Sequence, residues 1–182
     1  ELALFSISKG FALQIIEVSG RNHTEFKAIR SVLAKWRDQS IFSIDLTAIR
    51  LELLDLGWVK DAVVSRHPPD TLTVKLIERH PVALLQTPSG HQLIDEAGVM
   101  INGANVSAFS HLVVVSGKGA PKRTNMLLGM LESEPEIFAD VWAVQLIAER
   151  RWDVHMRSGL TIKLPEKDPV LAWSRLAILE RD

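Results

Sequence analysis

The spacing of hydrophobic and polar positions changes period several times along the chain. Phe11 to Val18 (FALQIIEV) is a short apolar run closed by Ser19-Gly20, and it predicts a buried strand. Asn22-His23-Thr24-Glu25 then offers two helix N-caps: Asn22, with Glu25 at capping-box spacing, or Thr24. Phe26, Ile29, Leu33 and Trp36 follow at helical spacing, with Val32 widening the stripe. Asp45 is the predicted N-cap of a second helix whose apolar face is Leu46, Ile49, Leu53 and Leu56. Gly57 stands where a C-terminal cap belongs. Trp58 to Arg66 (WVKDAVVSR) reads as a strand with a bulge near Lys60-Asp61, where the alternation falters. His67-Pro68-Pro69-Asp70 is a turn. Thr71 to Glu78 alternates cleanly, with Leu72, Val74 and Leu76 on one face and Thr71, Thr73 and Lys75 on the other. Strand, helix, helix and hairpin predict a small α+β unit, one layer of helices on one sheet.

After Arg79-His80-Pro81 the pattern becomes strand-dominated. Val82–Gln86, His91–Asp95, Val99–Ile101 and Leu112–Val115 read as short strands. Ala120 to about Glu134 reads as a helix with Met126, Leu127, Met130 and Leu131 apolar. Asp140–Glu149 is a longer strand, and Arg151–Met156 alternates with Trp152, Val154 and Met156 on one side. Ser158-Gly159 turns the chain into Leu160–Leu164. A last helix opens at Asp168 or Pro169 and carries Ala172, Leu176 and Leu179, with Trp173 beside them. The expected organisation is a first domain over 1–80 and a second, mainly antiparallel β domain with flanking helices over 81–182. The join between them is short and not Gly/Ser-rich, so the two are expected to be nearly rigidly joined.

Composition adds mainly exclusions. The formal net charge of −1 and interspersed Lys, Arg, Asp and Glu argue against a nucleic-acid partner. The chain has no cysteine, which removes disulfides, thiolate metal sites and cysteine nucleophiles. No apolar run reaches the roughly 18 residues of a spanning helix. Glu1–Ser8 lacks signal-peptide anatomy, and the chain starts without Met, which reads as a processed form or a piece of a longer protein and leaves room for a membrane anchor upstream. His23, His67, His80, His91, His111 and His155 show no zinc-ligand spacing. Ser116-Gly117-Lys118-Gly119-Ala120 lacks the spacing of a phosphate loop and reads as a strand-to-helix turn. Trp36, Trp58, Trp142, Trp152 and Trp173 each sit in an apolar or alternating stretch and are assigned to packing. No catalytic residue, cofactor or metal site is nominated. Arg150-Arg151 before Trp152 reads as a charged strand end or as an interface contact, since Arg beside an aromatic is typical of interface hot spots.

The run from Gly57-Trp58-Val59 through Arg66, Pro69, Thr71-Leu72 and Val74 to Glu78-Arg79-His80-Pro81-Val82-Ala83 resembles the FtsQ/DivIB family, with Gly57 departing from the usual small or proline residue before the Trp. Leu93-Ile94-Asp95-Glu96-Ala97-Gly98-Val99 resembles a second segment of that family. Arg150-Arg151-Trp152-Asp153-Val154, with Gly159 and Leu164, resembles a third. Gly117–Pro121 and Arg150–Trp152 resemble alphaproteobacterial members of that family. The resemblance implies a POTRA domain (β-α-α-β-β) followed by a β domain. It also implies a single-pass protein on the periplasmic face of the bacterial inner membrane, at the division septum. Its implied partners are FtsB and FtsL, with FtsK, FtsW and the septal transpeptidase as further candidates. Its implied role is a non-enzymatic scaffold that helps regulate septal peptidoglycan synthesis. Family members continue past the last helix with closing strands, one of them implicated in docking FtsB, and those are expected to be missing here.

An open sheet edge can accept an extended partner segment. The strand from Trp58 to Arg66, with Val63 and Val64, is therefore one candidate edge. The region of Arg150, Arg151 and Trp152 is another, near the C-terminal end of the β domain. The competing reading is a POTRA-type chaperone or transport module of an outer-membrane assembly or secretion system. A peptidoglycan hydrolase is a third reading, for which the sequence offers no nucleophile, metal or acid/base constellation.

Overall fold

The computed structural model describes residues 10–181, with side chains through 179. The readings placed on Glu1–Ser8 and on Asp182 lie outside these residues. The chain divides into two compact units, one ending at Arg79 and the next beginning at His80.

The first unit runs β1 (Ile15–Ser19), α1 (Phe26–Ala34), α2 (Leu46–Leu54), β2 (Val59–His67) and β3 (Thr71–Glu78), the β-α-α-β-β order expected. Its sheet has the order β1-β3-β2, with β3 parallel to β1 and antiparallel to β2. One face is apolar: Leu72, Val74 and Leu76 of β3 pack with Val59 and Ala62 of β2 against Ile29, Leu33, Ile49 and Leu53 of the helices. Full burial of such side chains is worth about 1.5–3 kcal/mol each, so this face holds the helices down.

Several local expectations change in the folded chain. The first strand starts at Ile15, not Phe11, because Phe11–Leu13 pairs elsewhere. The Leu13 N–H donates to Gln39 O at 2.8 Å, and the Ile41 N–H donates to Phe11 O at 2.9 Å. Leu13 is thereby fully buried. Neither Asn22 nor Thr24 caps α1. Glu25 takes that position without a side-chain cap, because the Thr24 hydroxyl is bonded to Glu78 instead. Phe26 is 56% exposed rather than packed. Asp45 does cap α2, its carboxylate accepting the N–H groups of Thr47 and Ala48 at 2.9 and 3.0 Å. Gly57 is not a cap: α2 ends through Asp55 in the right-handed region, which needs no glycine. The bulge falls between Val59 and Asp61, where the broken alternation placed it.

The second unit runs β4 (Pro81–Thr87), β5 (Gly90–Asp95), a 3-10 turn (Val106–Phe109), β6 (Val114–Ser116), α3 (Pro121–Leu131), α4 (Pro135–Phe138), β7 (Val141–Ile147), β8 (Arg151–Met156), β9 (Thr161–Lys163) and α5 (Pro169–Arg181). The strands form one sheet, β5-β4-β6-β7-β8-β9. The short β6 joins β4 and β7 in parallel, and the other pairs are antiparallel. Val115, Val144, Trp152 and Val154 share a core with Leu127 and Leu131 of α3 and with Trp173 of α5.

Trp173 sets the rotation of α5. It is fully buried, and its Nε1 donates to the Leu131 carbonyl at 3.0 Å. Trp173 and Ala177 therefore face inward, Ala172 and Leu176 of the expected stripe pack against the same core, and its third member, Leu179, is 74% exposed. Met126 is likewise exposed, while Thr124, Leu127, Leu128 and Leu131 form the inner face of α3. Val99–Ile101 makes only a bridge from Met100 to Ile94. Asp95 is the reason: its buried carboxylate accepts the N–H groups of Ala97 and Val99 at 3.0 and 2.8 Å and closes a tight turn. Gly98 in that turn has φ +76°, and a Cβ there would stand 2.4 Å from the Pro121 carbonyl oxygen. Gly117 similarly lets the chain pass the Leu146 carbonyl, where a Cβ would stand 2.3 Å away. Of the glycines flanking Lys118, Gly117 thus serves backbone approach and Gly119 a left-handed backbone at φ +78°.

Gly98→Ala should cost about 1–3 kcal/mol, from left-handed backbone strain and from displacement of the start of α3. Urea unfolding of the purified chain measures it, and wild-type stability in the variant would contradict this role.

Candidate partner-binding edges

The strand order leaves β3 with a neighbour on each side and makes β1 and β2 the two edges of the first sheet. β2 is the longer, nine residues against five. Its side chains divide as the pleat requires. Val64 packs against the core and Val63 stands opposite Lys75 on the outer face, 52% exposed. Asp61 follows the bulge, where its carboxylate accepts the Ala62 N–H at 2.7 Å and the Arg50 guanidinium at 2.6 Å. The Ala62 N–H and then the Arg50 hydrogen bond hold its carboxyl below the usual carboxylate range. Arg66 donates to the Ile44 carbonyl, tying the far end of β2 to the segment before α2.

Trp58 faces inward. It is 8% exposed, its ring stacks on His23 at 4.3 Å, and its carbonyl accepts the Arg79 N–H at 2.8 Å. Beside this stack lies a buried carboxylate that the sequence reading placed in a motif without giving it a role. Glu78, 7% exposed, accepts the backbone N–H groups of His23 and Thr24, each at 2.8 Å, and the Thr24 hydroxyl at 2.5 Å. It clamps the β1–α1 connection to the end of β3. Burial pushes the Glu78 carboxyl up. The Thr24 hydroxyl and the backbone N–H groups of His23, Thr24 and Asn22 together outweigh that and hold it below its ordinary value.

In the second unit the edges are β5 and β9. Arg151, Trp152 and Asp153 lie on β8, an interior strand between β7 and β9. Trp152 is 8% exposed and belongs to the core. Arg151 pairs with Asp153 at 3.1 Å, and Arg150 is exposed in the turn before β8. The outermost strand toward the C-terminal end is β9, only three residues long. Trp142 of β7, assigned from sequence to packing, is 47% exposed beside His155, with ring centroids 6.2 Å apart. The bulge between Val141 and Ala143 breaks the alternation that suggested burial. Among the described residues no cluster of three or more His, Asp or Glu is placed to hold a metal ion, and no helix is long and apolar enough to cross a membrane.

Residues 11–79 match the family model described as "POTRA domain, FtsQ-type", and residues 83–182 match "Cell division protein FtsQ/DivIB, C-terminal". The Cell division protein FtsQ of Zymomonas mobilis subsp. mobilis is 37% identical over 158 residues, covering 87% of this chain and 50% of that protein. Its counterpart in Novosphingobium aromaticivorans is 32% identical over all 182 residues and 57% of its own length. That of Caulobacter vibrioides is 32% identical, covering 96% of this chain and 58% of its own length. The chain thus spans about half the length of the curated relatives it matches. A solved structure, the major extracytoplasmic domain of DivIB from Geobacillus stearothermophilus, aligns with a TM-score of 0.39 and 17% identity, covering 58% of this chain and 98% of that one.

Glu78 yields a pH prediction. Its carboxyl is depressed in the folded state, so its stabilisation is complete above the ordinary carboxylate value and is lost as pH falls through the depressed one. Glu78→Gln should destabilise the first unit by about 1–3 kcal/mol at neutral pH, since it removes charged hydrogen bonds to buried donors. It should also flatten the acid limb of stability against pH. Denaturant unfolding at a series of pH values checks both, and an unchanged acid limb would refute the assignment.

Proposed function

The chain belongs to the FtsQ/DivIB family of cell division proteins, and from that premise we propose that it works as a non-enzymatic periplasmic scaffold of the division machinery. In this reading a POTRA domain within residues 1–80 and a β domain over 81–182 are both binding modules. They are held at the septal face of the inner membrane by a single anchor upstream. FtsB and FtsL are the proposed partners, with FtsK, FtsW and the septal transpeptidase as further ones. Control of septal peptidoglycan synthesis passes through which of them is held.

The observation that carries the mechanism is β2, a nine-residue strand with an open edge and an exposed apolar residue, Val63, at its middle. An extended partner segment added there gains main-chain hydrogen bonds along the edge and side-chain contact with Val63. The buried carboxylates Glu78 and Asp95 are committed to neighbouring backbone N–H groups, which supports a structural use for them rather than acid–base chemistry. The strands of the second sheet run seven residues at most. A membrane barrel needs strands of about nine to eleven, so a scaffold is favoured over the secretion-type module that also uses POTRA domains.

The periplasmic region, extended through its closing strands, should capture FtsB and FtsL periplasmic segments in a pull-down. Val63→Glu places a carboxylate opposite Lys75 and should leave stability within about 0.5 kcal/mol. It should weaken capture of at least one segment by about ten-fold, the effect of a single central contact. No capture by the wild-type region would overturn the proposal.

A further inference from the structure

The other edge of the first sheet carries a second, chemically distinct feature. Among the described strands β1 has β3 as its only neighbour, which leaves its outer edge without a paired strand among the described residues. Next to that edge, between β1 and α1, lies a groove of about 290 Å³. Ile16 and Val18 form its sheet side, Ile29 and Leu33 its helix side, and Arg30 and Arg37 stand along it. No carboxylate lines it. Both arginines are exposed, and among the described residues neither side chain makes an ion pair or hydrogen bond. Glu17, the acidic residue of β1, alternates with Ile16 and Val18 and so points to the opposite face.

We propose that the groove and the open edge of β1 together form a docking site for an extended, acidic segment of a partner protein, separate from the β2 edge. The charge argument selects the partner's sign. The edge selects its conformation, since only an extended chain satisfies a row of strand N–H and C=O groups. Two separated cations select a pattern: Arg30 lies on α1 and Arg37 in the turn that follows it. Two carboxylates at alternate positions on either side of an apolar residue, as in Glu-Thr-Val-Thr-Glu, project from the same face of a strand about 13 Å apart. The central apolar side chain then enters the groove beside Ile16 and Val18, and each carboxylate meets one guanidinium.

The test uses a fluorescein-labelled peptide carrying Glu-Thr-Val-Thr-Glu and the same peptide with Lys for Glu, titrated against the whole chain by fluorescence anisotropy. The acidic peptide should bind and weaken with added salt, and the Lys peptide should not. Amide chemical shifts should move at Ile16–Ser19 and not along β2. The double variant Arg30→Glu/Arg37→Glu replaces two exposed side chains and should melt like the wild type. It should bind the acidic peptide roughly ten-fold more weakly or worse and gain the Lys peptide. Four results would overturn the site: no binding, equal binding of both peptides, indifference to the charge reversal, or shifts confined to β2. So would tighter binding of an acidic helical peptide, arginine-dependent self-association, or arginine-dependent binding to phosphatidylglycerol vesicles without peptide binding. Val63→Glu should leave this binding unchanged, so failure here and failure of FtsB/FtsL capture are separate outcomes.

Discussion

A three-stranded sheet has one interior strand and two edges, and the first unit is organised around that constraint. β3 takes the interior place because it alternates most cleanly, with Leu72, Val74 and Leu76 all on the helix side. With β3 in the middle, β2 and β1 each leave a row of main-chain groups unpaired by neighbouring strands among the described residues. The two edges then differ in chemistry. β2 is long and carries Val63, whereas β1 is short and borders a groove with arginines and no acid. One small domain thereby has two edges of different chemistry, which the proposed docking sites would use for different partner sequences.

The polar groups fall into two sets. Glu78 and Asp95 are buried and take up neighbouring N–H groups, so they fix connections: β1 to α1 in one unit and β5 to the following turn in the other. Both lie in segments that carry the family resemblance, which accounts physically for those segments as folding devices. Trp58 and Trp152 belong with them, since both rings are turned into cores. Among the groups left at the surface are Val63, Arg150 and Arg151, which stood out in the sequence as binding candidates, and Trp142, Arg30 and Arg37, which did not.

Periodicity read out what is local. Both helices of the first unit, the Asp45 cap, the β2 bulge and the inward face of β3 were all legible, because each depends on residues a few positions apart. The failures share a different cause. Thr24 gave up its cap to a carboxylate 54 residues away. Phe11–Leu13 left the first strand to pair with the 38–41 segment. In the last helix Leu179 left the expected stripe, while Ala172 and Leu176 kept to the core, because the buried Trp173 indole reaches the Leu131 carbonyl on α3 and sets the rotation. Strand order, which decides what is an edge, is a long-range property and leaves no periodic trace. For the same reason the edge near the C-terminal end is β9 and β8 is an interior strand, with Arg150 exposed in the turn before it and Arg151 half-exposed.

The central claim is that partners are held by adding strand to a sheet edge. Hydrogen exchange on the periplasmic region, with and without FtsB and FtsL segments, tests it most directly. The account predicts that slowed exchange appears along edge strands, β2 foremost, while the amides of β3 keep their own rate. Slowed exchange confined to the outer surfaces of α1 and α2, with the sheet edges unchanged, would contradict it.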